Sequence, residues 1–165
     1  MSTLPAKPDP AATISVPIGR WAVASAPTTI RTLLGSCLGV VLSVRRAKIG
    51  GLAHIVLPDS RGSTDYPGKY ANTAIPALIL DLERLAGEPV LKRLTAKLLG
   101  GASMFHNDGL DIGRLNAEAV ERILAGLGIT VLTRDLGGEA GRRLTFDTLT
   151  GIVAVKIPGG ADYEV

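Results

Sequence analysis

The sequence contains one cysteine, Cys37, in 165 residues. A lone thiol excludes an intrachain disulfide and a Cys-rich zinc module. It leaves two fates, core filler or reactive nucleophile. Aromatic residues are also scarce, with one Trp, three Tyr and two Phe, which leaves little surface for stacking bases. The net charge of +3 is too small to mark a nucleic-acid binder by itself, so no nucleic-acid partner is expected. No stretch approaches the roughly 18 apolar residues that span a bilayer, so no membrane insertion is expected either. The first residues, MSTLPAKPDPAAT, lack the apolar core of a secretory signal. A cytoplasmic location is therefore expected, and it suits a free thiol. Neither GxGxxG nor GxxxxGK[ST] occurs, which removes the common nucleotide-binding fingerprints.

What is present is enough for a folded domain. Hydrophobic residues make up 46% and charged residues 20%, close to the globular norm. The proline-rich residues 1–13 read as a flexible tail, and residues 14–165 as one domain. Short β-type runs are expected at Ile14–Pro17, Trp21–Ser25 and Thr28–Leu34, and clearer strands at Cys37–Val44 and Ile49–Leu57. A polar loop, residues 58–68, precedes a helix over Tyr70–Ala86. In that helix Ile75, Leu78, Ile79, Leu82 and Leu85 recur at helical spacing, Asn72 or Thr73 caps the start, and Pro76 lies near the first turn. Leu91–Leu99 reads as a strand, and Ala117–Leu127 as a second helix capped by Asn116. Ile129–Asp135, Arg142–Asp147 and Ile152–Ile157 read as closing strands. Many strands with two intercalated helices define an α+β class rather than a regular βαβ array.

The two clearest strands permit a geometric reading. If they form an antiparallel hairpin centred between Arg45 and Arg46, Cys37 stands directly opposite His54. Side chains alternate along a strand. One face then collects Leu38, Val40, Leu42, Val44, Ile49, Ala53, Ile55 and Leu57 and reads as core. The other collects Cys37, Gly39, Val41, Ser43, Gly50, Leu52 and His54 and reads as a mixed, non-core face. Directly opposed residues have Cβ atoms about 4.5–5.5 Å apart, within which a thiol and an imidazole share a proton. The thiolate is the nucleophile and needs such a partner. Gly35 and Ser36 precede the thiol in a turn whose amides suit an oxyanion. Gly100, Gly101 and Ser103 form a similar loop, read either as a pocket wall or as a plain corner. A metal site on Cys37, His54 and His106 matches no ligand spacing, and no cofactor is expected.

Six segments, in order, carry a family resemblance: LLGSCLGVVL (33–42), IGGLAHIVLP (49–58), KYANTAIPALI (69–79), AKLLGGASMF (96–105), IGRLNAEAV (112–120) and DLGGEAGR (135–142). Together the chain resembles CheD, the chemoreceptor glutamine deamidases of bacterial and archaeal chemotaxis. The resemblance implies a three-layer α/β/β fold with mixed sheets, similar to the catalytic domain of cytotoxic necrotizing factor toxins. It places the nucleophile on Cys37 and its base on His54. A threonine ahead of the cysteine orients the histidine in that family. The ungapped match here is Arg31, and the adjacent Thr32 reaches the site if a bulge shifts the strand. Asn72 stands where the family commonly has aspartate.

The activity implied is hydrolysis of glutamine carboxamides on methyl-accepting chemotaxis proteins through a thioester, a protein-glutamine glutaminase reaction without cofactor, with a methylesterase side activity. The resemblance also implies, in some members, docking to the CheC phosphatase. A non-catalytic docking role toward CheC is the alternative reading. The loop at residues 58–68 is a candidate receptor contact.

Overall fold

The computed structural model describes residues 12–104 and 110–165. Among these residues ten strands form two sheets. In chain order they are β1 Thr13–Ser15, β2 Trp21–Ser25, β3 Thr29–Leu34, β4 Leu38–Val44, β5 Ile49–Ile55, β6 Thr95–Gly100, β7 Thr130–Leu136, β8 Arg142–Asp147, β9 Val153–Lys156 and β10 Asp162–Glu164. Helix α1, Ala71–Ala86, joins β5 to β6, and α2, Ile112–Gly126, joins β6 to β7. One five-stranded sheet runs β1-β3-β8-β9-β10 and the other β2-β5-β4-β6-β7. Each is mixed, with one parallel pair: β1 with β3, and β6 with β7.

Three layers follow from where the apolar residues go. Leu38, Val40, Leu42, Val44, Ile49, Ala53 and Ile55 of β4 and β5 bury against Ile75, Leu78 and Leu82 of α1 and Val120 and Leu124 of α2. Val41 and Leu52, from the opposite face of the same strands, bury against Ile30, Leu34, Leu144, Phe146 and Val153 of the other sheet. The order is helices, sheet, sheet, which is the α/β/β arrangement expected. The face carrying Cys37 and His54 is thus the lining of a second core, contrary to its reading as a non-core face. Its small residues are the physical reason. A Cβ on Gly50 would lie 2.6 Å from the Phe146 ring, and one on Gly39 2.8 Å from Leu34 Cδ1. The glycines admit the second sheet.

The β4–β5 hairpin differs from the expected register by two residues. Val44 pairs with Ile49, and Gly39, not Cys37, pairs with His54. All four residues Arg45–Lys48 lie in the connection. It closes with a Lys48 N–H bond to Arg45 O and with Lys48 in the left-handed region at φ 51°. The hairpin is therefore centred after Arg46. A shift of two leaves every side chain on its expected face.

Other boundaries moved for local reasons. Thr13, placed in the tail by composition, joins the sheet and pairs with Thr29, and Ala12 O accepts from Thr29 N–H at 2.9 Å. Residues 1–11 lie outside the described residues. Helix α1 begins at Ala71 behind Tyr70, with Pro76 inside it, and ends on Gly87 at φ 71°. Helix α2 starts five residues earlier than expected. Asp111 caps it, accepting from the Arg114 N–H at 3.1 Å. Asn116 is buried within the helix and donates to Val56 O at 2.9 Å. Residues 91–93 form a single tight turn before β6.

Candidate active site

Cys37 lies in the turn between β3 and β4, just ahead of Leu38, where the chain passes from one sheet to the other. His54 is the penultimate residue of β5, on the adjacent strand. Since His54 pairs with Gly39, Cys37 is its diagonal neighbour on the same face, a spacing that a long side chain bridges. The backbone of His54 is fixed on its far side, its N–H donating to Arg20 O and its carbonyl accepting from Gly19 N–H.

The imidazole is held by the other sheet. Thr32 Oγ1 lies 2.8 Å from His54 Nδ1 and donates to Val16 O at 2.8 Å. Both side chains are buried, at 6% and 5% exposure. A hydroxyl has one proton. With that proton on Val16 O, the Thr32–His54 bond requires Nδ1 to be the donor. The imidazole is then the Nδ1–H tautomer, and its Nε2 carries a free lone pair. Thr32 needs no bulge to reach this place, because the pairing of β3 with β8 runs unbroken from Thr29 to Leu34. Thr32 points inward, and Arg31 is exposed and bonds Ser15 Oγ at 2.9 Å.

Thr32, Gly35, Ser36, Cys37 and His54 line one open cleft of about 410 Å³ with Val16, Pro17, Ile18, Leu33 and Met104. Burial pushes the Cys37 thiol up and the His54 imidazole down to about 4. Both shifts favour the uncharged thiol–imidazole pair at rest. Among the described residues, no backbone carbonyl accepts from the amides of Ser36 and Cys37.

Gly100, Gly101 and Ser103 do not line this cleft. Gly101 N–H donates to Cys37 O at 2.9 Å, so this strand end braces the nucleophile from behind. Ser103 lines a neighbouring depression with Asp111 and Gly113. His106, the third member of the metal set considered from sequence, lies outside the described residues. Asn72 pins the polar loop before α1, accepting from Ser60 N–H at 2.9 Å and donating to Ser60 Oγ and Asp59 Oδ1. Sequence reasoning missed Val16, whose role is a backbone carbonyl and leaves no trace in residue type. It also missed Ile18, Leu33 and Met104, exposed apolar side chains at the rim.

A thiol beside an imidazole that a third group orients is an arrangement for acyl transfer. The chain is also similar to known proteins. The family model described as CheD chemotactic sensory transduction matches residues 56–157. The chain is 44% identical over 150 residues to the chemoreceptor glutamine deamidase CheD of Thermotoga maritima, covering 90% of this chain and 94% of that protein. It is 43% identical over 146 residues to the probable chemoreceptor glutamine deamidase CheD of Methanococcus maripaludis, covering 87% of this chain and 94% of that protein. The chain belongs to the CheD family. Among solved structures, a Neisseria meningitidis protein superposes with a TM-score of 0.44 at 12% identity, over 79% of this chain and 65% of that one. No helix among the described residues is long and apolar enough to cross a membrane.

Proposed function

We propose that this protein is a chemoreceptor glutamine deamidase, a protein-glutamine glutaminase, with Cys37 as nucleophile, His54 as general base and acid, and Thr32 as the group that orients His54. Membership of the CheD family supports the activity. The single observation that supports the roles is the Val16–Thr32–His54 hydrogen-bond relay, which leaves Nε2 as the basic nitrogen in the cleft it shares with Cys37.

His54 Nε2 takes the thiol proton as Sγ attacks the carboxamide carbon of a receptor glutamine. The amides of Ser36 and Cys37, which donate to no described backbone carbonyl, supply the donors for the tetrahedral oxyanion. Collapse breaks the C–N bond, and His54 returns its proton to the leaving ammonia, giving a thioester. Water, deprotonated by His54, adds to the thioester and releases glutamate and the thiol. The steps balance without a metal or organic cofactor. A methyl ester at the same receptor position follows the same path with methanol as the leaving group, which accounts for a methylesterase side activity.

The substrates are helical cytoplasmic segments of methyl-accepting chemotaxis proteins, so the protein acts in the cytoplasm. Ile18, Leu33 and Met104 supply an apolar rim against which such a helix lies. Ammonia release from receptor cytoplasmic fragments, with the matching mass change of glutamine to glutamate, tests the assignment. Cys37→Ala should abolish both, and undiminished release by that variant would sink it. The same assay with and without CheC tests the docking role.

A further inference from the structure

We propose that Arg142, in the DLGGEAGR segment that the mechanism leaves unused, is a positioning residue for the nucleophile and acts through the Gly100–Gly101 backbone. This rests on the role given to Cys37 above. Arg142 opens β8 and is only 6% exposed. Its guanidinium donates to three backbone carbonyls: Gly100 O at 3.0 Å, Asp135 O and Gly137 O. A longer ion pair joins it to one carboxylate. Asp135 Oδ1 is 3.8 Å away, and Asp135 Oδ2 accepts from Tyr163 OH at 2.5 Å. Arg142 Nε is buried without a hydrogen-bond partner among the described residues.

Burying this cation costs desolvation that the three carbonyl bonds and the long Asp135 ion pair must offset, so these contacts hold the backbone around it. Here it ties together the ends of β6 and β7. Gly100 O also accepts from Gly137 N–H at 2.9 Å, so both of its lone pairs are engaged. Gly100 has φ 102°, and a Cβ there would lie 2.5 Å from Cys37 O. The next two amides leave this anchored residue directly for the nucleophile turn, with Gly101 N–H on Cys37 O at 2.9 Å and Ala102 N–H on Gly35 O at 3.1 Å. From the other side α2 closes on the same segment, where a Cβ on Gly113 would lie 2.3 Å from Gly101 O. The Gly35–Cys37 turn is thus set by a backbone that Arg142 holds in place.

The test compares wild type with Arg142→Met and Arg142→Lys by three readouts: amide exchange of Gly101 against core amides such as Val41, alkylation of Cys37 by iodoacetamide, and deamidation kinetics. In Arg142→Met, Gly101 exchange should rise about tenfold or more while Val41 stays protected, and Cys37 alkylation should change about threefold or more. kcat should fall about ten- to a hundredfold with KM within about twofold, the pattern of a misplaced reacting group. Arg142→Lys, which keeps the charge and part of the donor set, should fall between the two. If Arg142→Met does not fold, Arg142→Lys decides alone. Wild-type Gly101 exchange and Cys37 alkylation in a folded variant overturn the proposal, even with a lowered melting temperature, as does a loss confined to KM. If wild type releases no ammonia from receptors, the proposed function fails, while Gly101 exchange and Cys37 alkylation still decide the role of Arg142.

Discussion

His54 stands opposite Gly39, and Cys37 lies two residues before Gly39, in the turn that enters β4. The base therefore belongs to one sheet and Thr32, which orients it, to the other, with the nucleophile in the turn that joins them. The spacing between the sheets sets the 2.8 Å bond from Thr32 to His54, and Gly39 helps to set that spacing. A Cβ at Gly39 would meet Leu34 Cδ1 at 2.8 Å and Leu144 Cδ1 at 3.0 Å. Gly39→Ala should cost about 1–2 kcal/mol by overpacking, read from urea unfolding. It should lower kcat about tenfold by displacing the base. A variant with unchanged kcat would show that the sheet spacing does not govern the site.

Thr32 makes a second, separable contribution. Thr32→Val keeps the shape but strips the hydroxyl, leaving Val16 O and His54 Nδ1–H unpaired in a buried place. That should cost about 1–3 kcal/mol of stability. It should also free the imidazole to rotate or change tautomer, with kcat falling about ten- to a hundredfold. Thr32→Ser restores the hydroxyl and should recover most of both. Measured side by side, ammonia release and unfolding distinguish orientation from mere packing, because packing loss alone leaves kcat intact in the folded fraction.

The burial of His54 makes stability pH-dependent. Its imidazole is held down to about 4, against 6.5 when free. Between those values the unfolded chain binds a proton that the native chain refuses, so stability falls as pH drops through this window and is full above it. From pH 7 to pH 5 the loss owed to His54 is about 2 kcal/mol. His54→Gln removes that contribution. Urea midpoints at the two pH values should shift less in His54→Gln than in wild type, and equal shifts would mean that His54 titrates normally in the fold.

The sequence revealed alternation more reliably than offset. Period two placed Cys37, Gly39, Leu52 and His54 on one face of the hairpin, and they share it. Their alignment along the strands depended on how many residues the Arg45–Lys48 connection consumes, which no periodicity records. The meaning of that face was hidden for another reason. Glycine looks like an absence of core until Phe146 and Leu144, a hundred residues away, are packed against it. Asn116 was misplaced as a cap because its preference for helix starts is local, whereas its bond to Val56 O is tertiary. Thr32 was legible as a candidate beside Arg31, but which of the two points inward was decided by the pairing of β3 with β8. Val16 left no signal, since any residue supplies a carbonyl.

The rim of the cleft yields the last prediction. Ile18 and Leu33 are 63% and 60% exposed, and both line the same cleft as Cys37. Side chains so exposed contribute little to folding, and Leu33→Asp or Ile18→Asp should leave the melting temperature nearly unchanged. If a receptor helix lies against them, each substitution puts a charge where apolar surface is buried on binding. Loss of one apolar contact of that size is worth about 1–3 kcal/mol, which raises KM about five- to 150-fold. Because neither residue is part of the Cys37–His54–Thr32 relay, kcat at saturating receptor should stay within about twofold. The discriminating measurement is deamidation of an intact receptor fragment beside hydrolysis of a small glutamine amide that is too short to touch the rim. The aspartate variants should be impaired on the first and normal on the second. Equal impairment on both would place these side chains in the chemistry rather than in docking.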